Sequence, residues 1–477
     1  MRQQTIKNIL RTSRFVLCLS LSTVPVLALP ETGADKSESV PANAVYLQAV
    51  PGLNTDQRRE FHAGEKVFNT FWIAIYNKLI ANWDFSRPGP GGGEWGLGPT
   101  YLATSCVACH VQGGRGSAGD GNGNQVFQQL LRLSVPGENP HGGPKPDPHY
   151  GGQLQSFDAI QRADETQRAG EGNLHVDWNR SVFALGDGTA VPLRQPVVRL
   201  EKLNFGPLGE GSMHSLRNAQ AMFGLGYLEA ISESDIFALA ERQKSQGLNG
   251  RPNLVRDDIN DRMAMGRFGW KANQPNIKQQ IAAALLNDVG ITSTVYPTQN
   301  CPSIQKECLA TYHTGKPEIR DDLWQAINFW LLALDAPAQR DIHKPEVQRG
   351  AKLFEAARCA QCHVTELRTG TFEALPLISN QTIHPYTDLL LHDMGPDLAD
   401  GRPDFRAGGA DWRTPPLWGI GLSKQVNGST SFLHDGRARN VLEAILWHGG
   451  EAKPSRDLFA GMSKAERADL IAFVNSL

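Results

Sequence analysis

Five residues constrain this chain more than any other stretch: Cys106-Val107-Ala108-Cys109-His110, which recur in kind as Cys359-Ala360-Gln361-Cys362-His363. The C-x-x-C-H pattern is that of c-type haem attachment. Two thiols reach the two vinyl carbons of the macrocycle, and the next residue sets an imidazole under the iron. A thioredoxin-like redox pair needs a βαβ context that the flanking sequence does not offer. A zinc site needs four ligands and leaves a histidine directly after each cysteine pair unexplained. Two covalently bound haem c groups are therefore expected, on Cys106 and Cys109 and on Cys359 and Cys362, with His110 and His363 as iron ligands.

Composition narrows the setting. The 477 residues are 40% hydrophobic and 20% charged, with a net charge of −2. That is ordinary for a globular protein, and no bulk charge draws the chain to nucleic acid or to an anionic membrane. Arg2, Lys7, Arg11 and Arg14 precede a short apolar run, Phe15 to Leu27, and Val26-Leu27-Ala28 resembles a cleavage site. Residues 1–28 read as a signal peptide, too short in its apolar part to span a bilayer. The expectation is an exported, periplasmic protein that is not integral to the membrane. Cys301 and Cys308 lie close together in a loop, where an oxidising compartment favours a disulfide over two free thiols.

The chain also repeats itself. Ala63-Gly64-Glu65-Lys66-Val67-Phe68 parallels Arg349-Gly350-Ala351-Lys352-Leu353-Phe354, and an apolar helix closes each unit, through Leu323, Ile327 and Phe329 and through Leu470, Phe473 and Val474. A Gly-x-x-x-Phe helix, then C-x-x-C-H, then a closing helix resembles the cytochrome c domain. The fold expected is mainly α: two cytochrome c-like domains, residues 46–340 and 341–477, the first carrying a glycine-rich loop and a small β insertion. The insertion falls between Leu174 and Leu203, with Gly186-Asp187-Gly188 as its hairpin signal. Gln125 to Leu133 reads as helix, and helices resume near Ser215. Leu228-Glu229-Ala230-Ile231 recurs as Leu442-Glu443-Ala444-Ile445; three residues on stand Ser234 in the first unit and His448 in the second.

Several segments are similar to those of the di-haem oxidoreductases, the "thiol oxidoreductase"-like branch of the bacterial di-haem cytochrome c peroxidase superfamily. They include Gly96-Leu-Gly-Pro99, Gly266-Arg-Phe-Gly-Trp-Lys-Ala272, Leu391-His-Asp-Met-Gly-Pro396, Trp412-Arg-Thr-Pro-Pro-Leu417 and Phe432-Leu-His-Asp-Gly-Arg437, leading to Trp447-His448-Gly449-Gly450. The resemblance implies a peroxidase. Electrons from a small redox protein, a c-type cytochrome or a copper protein, would enter at the C-terminal haem, and hydrogen peroxide would be reduced at the N-terminal one. In those peroxidases a methionine fourteen residues after the His of His-Asp-Gly ligates the C-terminal haem. The residue at that interval from His434 is His448, with Met394 as the other candidate. The resemblance also offers Glu229 as the acid–base group. Arg217 and Arg115 are candidate partners of haem propionates, and His214 is a candidate distal histidine. Calcium is possible, with Asp120 to Asn124 able to supply oxygens, though a solvated turn explains them equally. The alternatives are a di-haem electron carrier without a substrate pocket, or an oxidoreductase acting on another substrate.

Overall fold

The computed structural model describes residues 44–74, 88–119, 127–160, 170–311, 317–428 and 430–477, all within the unit Asp35–Leu477. Two crossed helix pairs set its frame. The Thr55–Asn69 helix opens on a capping box, in which Asn54 accepts from the Gln57 backbone while the Gln57 side chain returns to the Asn54 N–H. It buries Phe61, Gly64, Val67 and Phe68 against the Asp321–Leu332 helix, with Phe68 stacked on Trp330 at 4.6 Å. The crossing is so close that a Cβ on Gly64 would stand 2.1 Å from the Ala326 carbonyl oxygen. The second pair repeats the device. The Pro345–Ala356 helix, with proline in its first turn, crosses the Lys464–Ser476 helix; a Cβ on Gly350 would stand 2.0 Å from the Asp469 carbonyl oxygen, and Phe354 meets Phe473 at 5.3 Å.

Between these pairs the chain departs from expectation. Helix makes up only 32% and strand 21%, spread over many small sheets, so the fold is mixed rather than the mainly α pair of cytochrome c-like domains expected. The stretch read as a helix ending at Leu133 is a strand, Gln129–Glu138. Its Leu131, Leu133 and Val135 are buried in alternation, and it pairs antiparallel with Met213–Asn218, from Gln129 opposite Asn218 to Ser134 opposite Met213. Period two and a partner strand outweigh the helical propensity of leucine here. Helix resumes only at Leu225.

The β insertion is a twelve-pair hairpin, Asn173–Ala184 with Ala190–Glu201. Its tip leaves the first half of the chain. Leu185, Val191 and Leu193 are buried with Phe459 and Ala460, Gly186 N–H donates to the Ala460 carbonyl (2.9 Å), and Asp187 pairs with Arg467 (2.6 Å). No helix among the described residues is long and apolar enough to cross a membrane. Cys301 and Cys308 are bonded, with an S–S distance of 2.02 Å.

Candidate functional site

Each C-x-x-C-H segment folds into the same short 3-10 turn. Cys109 N–H and His110 N–H both donate to the Cys106 carbonyl (3.2 and 3.0 Å), and Cys362 and His363 do the same to Cys359 (3.3 and 2.9 Å). The turn brings both thiols and the following imidazole to the wall of one cavity. Cys106, Cys109 and His110 line the first cavity; Cys359, Cys362 and His363 line the second.

Three histidines on these walls could serve as ligands. His110 Nδ1 lies 2.7 Å from the Gln220 carbonyl, His363 Nδ1 2.9 Å from that of Tyr386, and His448 Nδ1 2.7 Å from that of Ala444. A carbonyl only accepts, so each Nδ1 carries the proton and each Nε2 keeps its lone pair. Burial lowers all three pKa values, His363 to about 4, which leaves the rings neutral. Burial also pushes the Cys106, Cys109 and Cys359 thiols up to about 12.

His363 and His448 face one another in the second cavity, with ring centres 6.5 Å apart. Two bonds of about 2 Å to a metal, plus about 1 Å from each nitrogen to its ring centre, require about 6 Å. An iron between them fits. Met394 lines the same cavity. His392, which sequence reasoning passed over, lies beside it. Its Nε2 is 2.8 Å from Asp388, its Nδ1 3.1 Å from Glu451 and 3.8 Å from Cys362 Sγ. Burial opposes its charge, but the two carboxylates hold its pKa well above the ordinary value.

The first cavity fits a large flat dianionic group equally well. Its walls are mostly apolar, Arg115, Arg132, Arg217 and Arg413 line it, and among the described residues Asp288 is its one carboxylate. Arg132 Nε, Trp72 Nε1 and Trp418 Nε1 are buried donors on these walls without a partner among the described residues, as donors awaiting carboxylates would be.

Its far side differs from that of the second, and a local repeat shows how. Phe268 bridges Gln274 as Phe432 bridges Ala438, and after each bridge comes an asparagine cap, Asn276 accepting from Gln279 N–H and Asn440 from Glu443 N–H. Ile277, Gln280, Ile281 and Ala284 then line the first cavity where Val441, Ala444, Ile445 and His448 line the second. At the register of His448 stands Ala284. This displaces the sequence alignment that set Ser234 opposite His448. Ser234 is exposed at the start of the Glu233–Ser245 helix, and His214 is on the outer side of its strand; neither lines the cavity. Met222 lines it on the His110 side, its N–H donating to Gly113. Among the described residues His110 is the one imidazole in this lining.

The family described as "Di-haem oxidoreductase, putative peroxidase" matches residues 84–477. The chain belongs to the di-haem oxidoreductase family. It is thus an oxidoreductase of a haem-carrying, electron-transferring class. No curated protein matches it. Among solved structures it is similar to hydrazine synthase from Kuenenia stuttgartiensis, pressurised with 20 bar xenon, at 12% identity and a TM-score of 0.32, with 100% of each chain covered.

Glu229 falls outside the cavity. Glu229 Oε2 accepts from the Ile277 backbone N–H at 2.6 Å, so this carboxylate holds the first turn of the Ile277–Ala284 helix. It is not among the lining residues. Asp288, on the segment continuing that helix, does line the cavity. Burial raises its carboxyl pKa, against Arg132 and a hydrogen bond from Gln153. The candidate calcium segment, Asp120 to Asn124, lies outside the described residues. Asp288 and Gln280 were findable from the sequence only by aligning Gly266–Ala272 with the His-Asp-Gly segment, two stretches that share little beyond a phenylalanine and the asparagine that follows.

Proposed function

We propose that this protein is an exported, periplasmic peroxidase carrying two haem c groups. Cys106 and Cys109 hold the first and Cys359 and Cys362 the second. His110 ligates the first iron; His363 and His448 ligate the second. A small redox protein, a c-type cytochrome or a copper protein, supplies electrons at the second site, and hydrogen peroxide is reduced to water at the first. One observation carries the reading: the helix register that presents His448 to the second cavity presents Ala284 to the first. One site is closed by two imidazoles, and the other leaves room opposite His110.

When bound, the haem at the first site supplies a redox-active iron to which peroxide has access. The chain does the rest. Gln220 fixes the His110 tautomer and so keeps the Nε2 lone pair on the cavity. The apolar walls exclude bulk water. Cleaving an O–O bond requires a proton to move from one oxygen to the other. Asp288 takes that role in place of Glu229, because Asp288 lines the cavity and Glu229 does not. Gln280, one helical turn before Ala284 on the same face, orients the peroxide.

EPR of the oxidised and half-reduced protein tests the division of labour. A high-spin ferric component beside a low-spin one is expected, together with peroxide turnover after pre-reduction by a donor. Two low-spin signals in both states, with no turnover, would make the chain an electron carrier.

A further inference from the structure

The wall behind Asp288 is polar where a core is ordinarily apolar. Gln153, Gln155, Gln305 and Glu171 are all buried. Gln153 Nε2 donates to Asp288 Oδ1 (2.8 Å) and to the Asn287 carbonyl (2.7 Å), and Gln155 Nε2 donates to that same carbonyl (2.7 Å). The Gln155 backbone N–H donates to one oxygen of Glu171 (2.7 Å), and Gln305 Nε2 donates to the other and to the His149 carbonyl (2.9 Å). His149 lies at the surface end of this line. Asp288 at the cavity and the buried Glu171 behind it are thus joined through Gln153, the Asn287 carbonyl and Gln155, and Gln305 continues from Glu171 to His149.

The unused atoms are the telling ones. Gln153 Oε1, Gln155 Oε1 and Gln305 Oε1 are buried and accept nothing from the described residues. A buried acceptor left without a donor costs about 1–3 kcal/mol, so three in one seam call for a donor that the described residues do not supply. Water is the donor of the right size, and a site lined by several polar groups holds it.

Peroxide reduction, H2O2 + 2 H⁺ + 2 e⁻ → 2 H2O, draws two protons from solvent for every two electrons from the donor protein. They must reach a cavity whose walls are largely apolar. We infer that the Gln153–Gln155–Gln305 seam is a hydrated path that carries these protons from the surface near His149, by way of Glu171, to Asp288. Asp288 is held through one oxygen by Gln153 and Glu171 through both, by the Gln155 backbone and Gln305, and water on the three amide oxygens links the carboxyls. Gln155 is a positioning residue in this path, touching neither peroxide nor haem. The inference rests on the peroxidase reading.

Two measurements on the haem-loaded full chain test it. The first is a crystal structure at a resolution that shows water. Ordered waters within hydrogen-bonding distance of the three amide oxygens are expected, and a dry seam overturns the path. The second is a pair of variants. Gln155→Leu should lower peroxide turnover about tenfold or more and enlarge the solvent deuterium isotope effect, while the rate at which the donor reduces the second site stays at the wild-type value. Gln155→Glu, which can itself relay a proton, should restore turnover. A Gln155→Leu protein with wild-type turnover and isotope effect removes the path alone. A wild-type protein that turns over no peroxide removes the reaction and the path with it.

Discussion

His448 and Asp288 are the residues on which the two sites differ in kind. Removing the His448 imidazole leaves His363 facing an empty position across the 6.5 Å between their rings. His448→Ala should convert the second site from low spin to a form that binds added imidazole or cyanide, read in the visible spectrum and by EPR. An unchanged low-spin spectrum would assign the position to Met394. Asp288→Asn keeps the shape and the Gln153 contact but cannot shuttle a proton. Its peroxide kcat/KM should fall about 100- to 10,000-fold with both haem spectra intact; wild-type kinetics would return the role to another group. Asp404 tests the scaffold around the first cavity. It accepts from Arg217 (3.1 Å) and Arg402 (3.2 Å), all three buried. Burial alone would raise its carboxyl, but Arg402, Arg217 and Lys271 outweigh burial and hold it below the usual value. A depressed native pKa contributes stability above the unfolded pKa and loses it as pH falls through the native one. Asp404→Asn should therefore cost about 3–5 kcal/mol at neutral pH in chemical denaturation. The gap to wild type should narrow below about pH 4.

At the level of elements, the two glycine crossings are the features most open to a direct stability test. A methyl group on Gly350 would meet the Asp469 backbone, which cannot step aside. Gly350→Ala should cost about 1–3 kcal/mol or more, measured by chemical denaturation. Gly461→Ala, with nothing within 4 Å of the new methyl, should stay near wild type. These crossings were legible in the sequence because Gly64 and Gly350 sit in matching six-residue strings and each faces an apolar helix. The attachment turns were legible for a similar reason, since five contiguous residues specify them. The strands were not. Leu131 and Leu133 favour a helix locally, and only their pairing with Leu216 and His214, about eighty residues on in the chain, makes them a strand. The helix carrying Gln280 was missed because its likeness to the His448 helix resides in backbone bridges and asparagine caps. The identical Leu-Glu-Ala-Ile string at Leu228 to Ile231 drew the comparison to a segment that only supports that helix.

For the molecule as a whole, the two cavities share a wall. Arg115, Trp270, Arg413 and Pro415 line both. The wall is fixed from both sides. Trp270 Nε1 donates to the Asn218 carbonyl (2.8 Å), Arg413 Nη2 donates to Gln220 (3.0 Å), and the Arg115 guanidinium stands 6.0 Å from the Trp270 ring centre. The hairpin from the first half, held at its tip by Ala460 and Arg467, keeps the second half from swinging away. If electrons enter at the second site and are used at the first, as proposed, this wall lies between the two, and the Trp270 ring is a polarisable group within it. Trp270→Leu keeps the wall apolar but removes that ring and its hydrogen bond to Asn218. In stopped-flow mixing with a reduced donor, the second site should still be reduced at the wild-type rate. Electron arrival at the first site should lag behind it, and peroxide turnover should fall to the rate of that slow step. If both sites are reduced together as in the wild type, electrons pass elsewhere, and the shared wall serves only to hold the two cavities at a fixed separation.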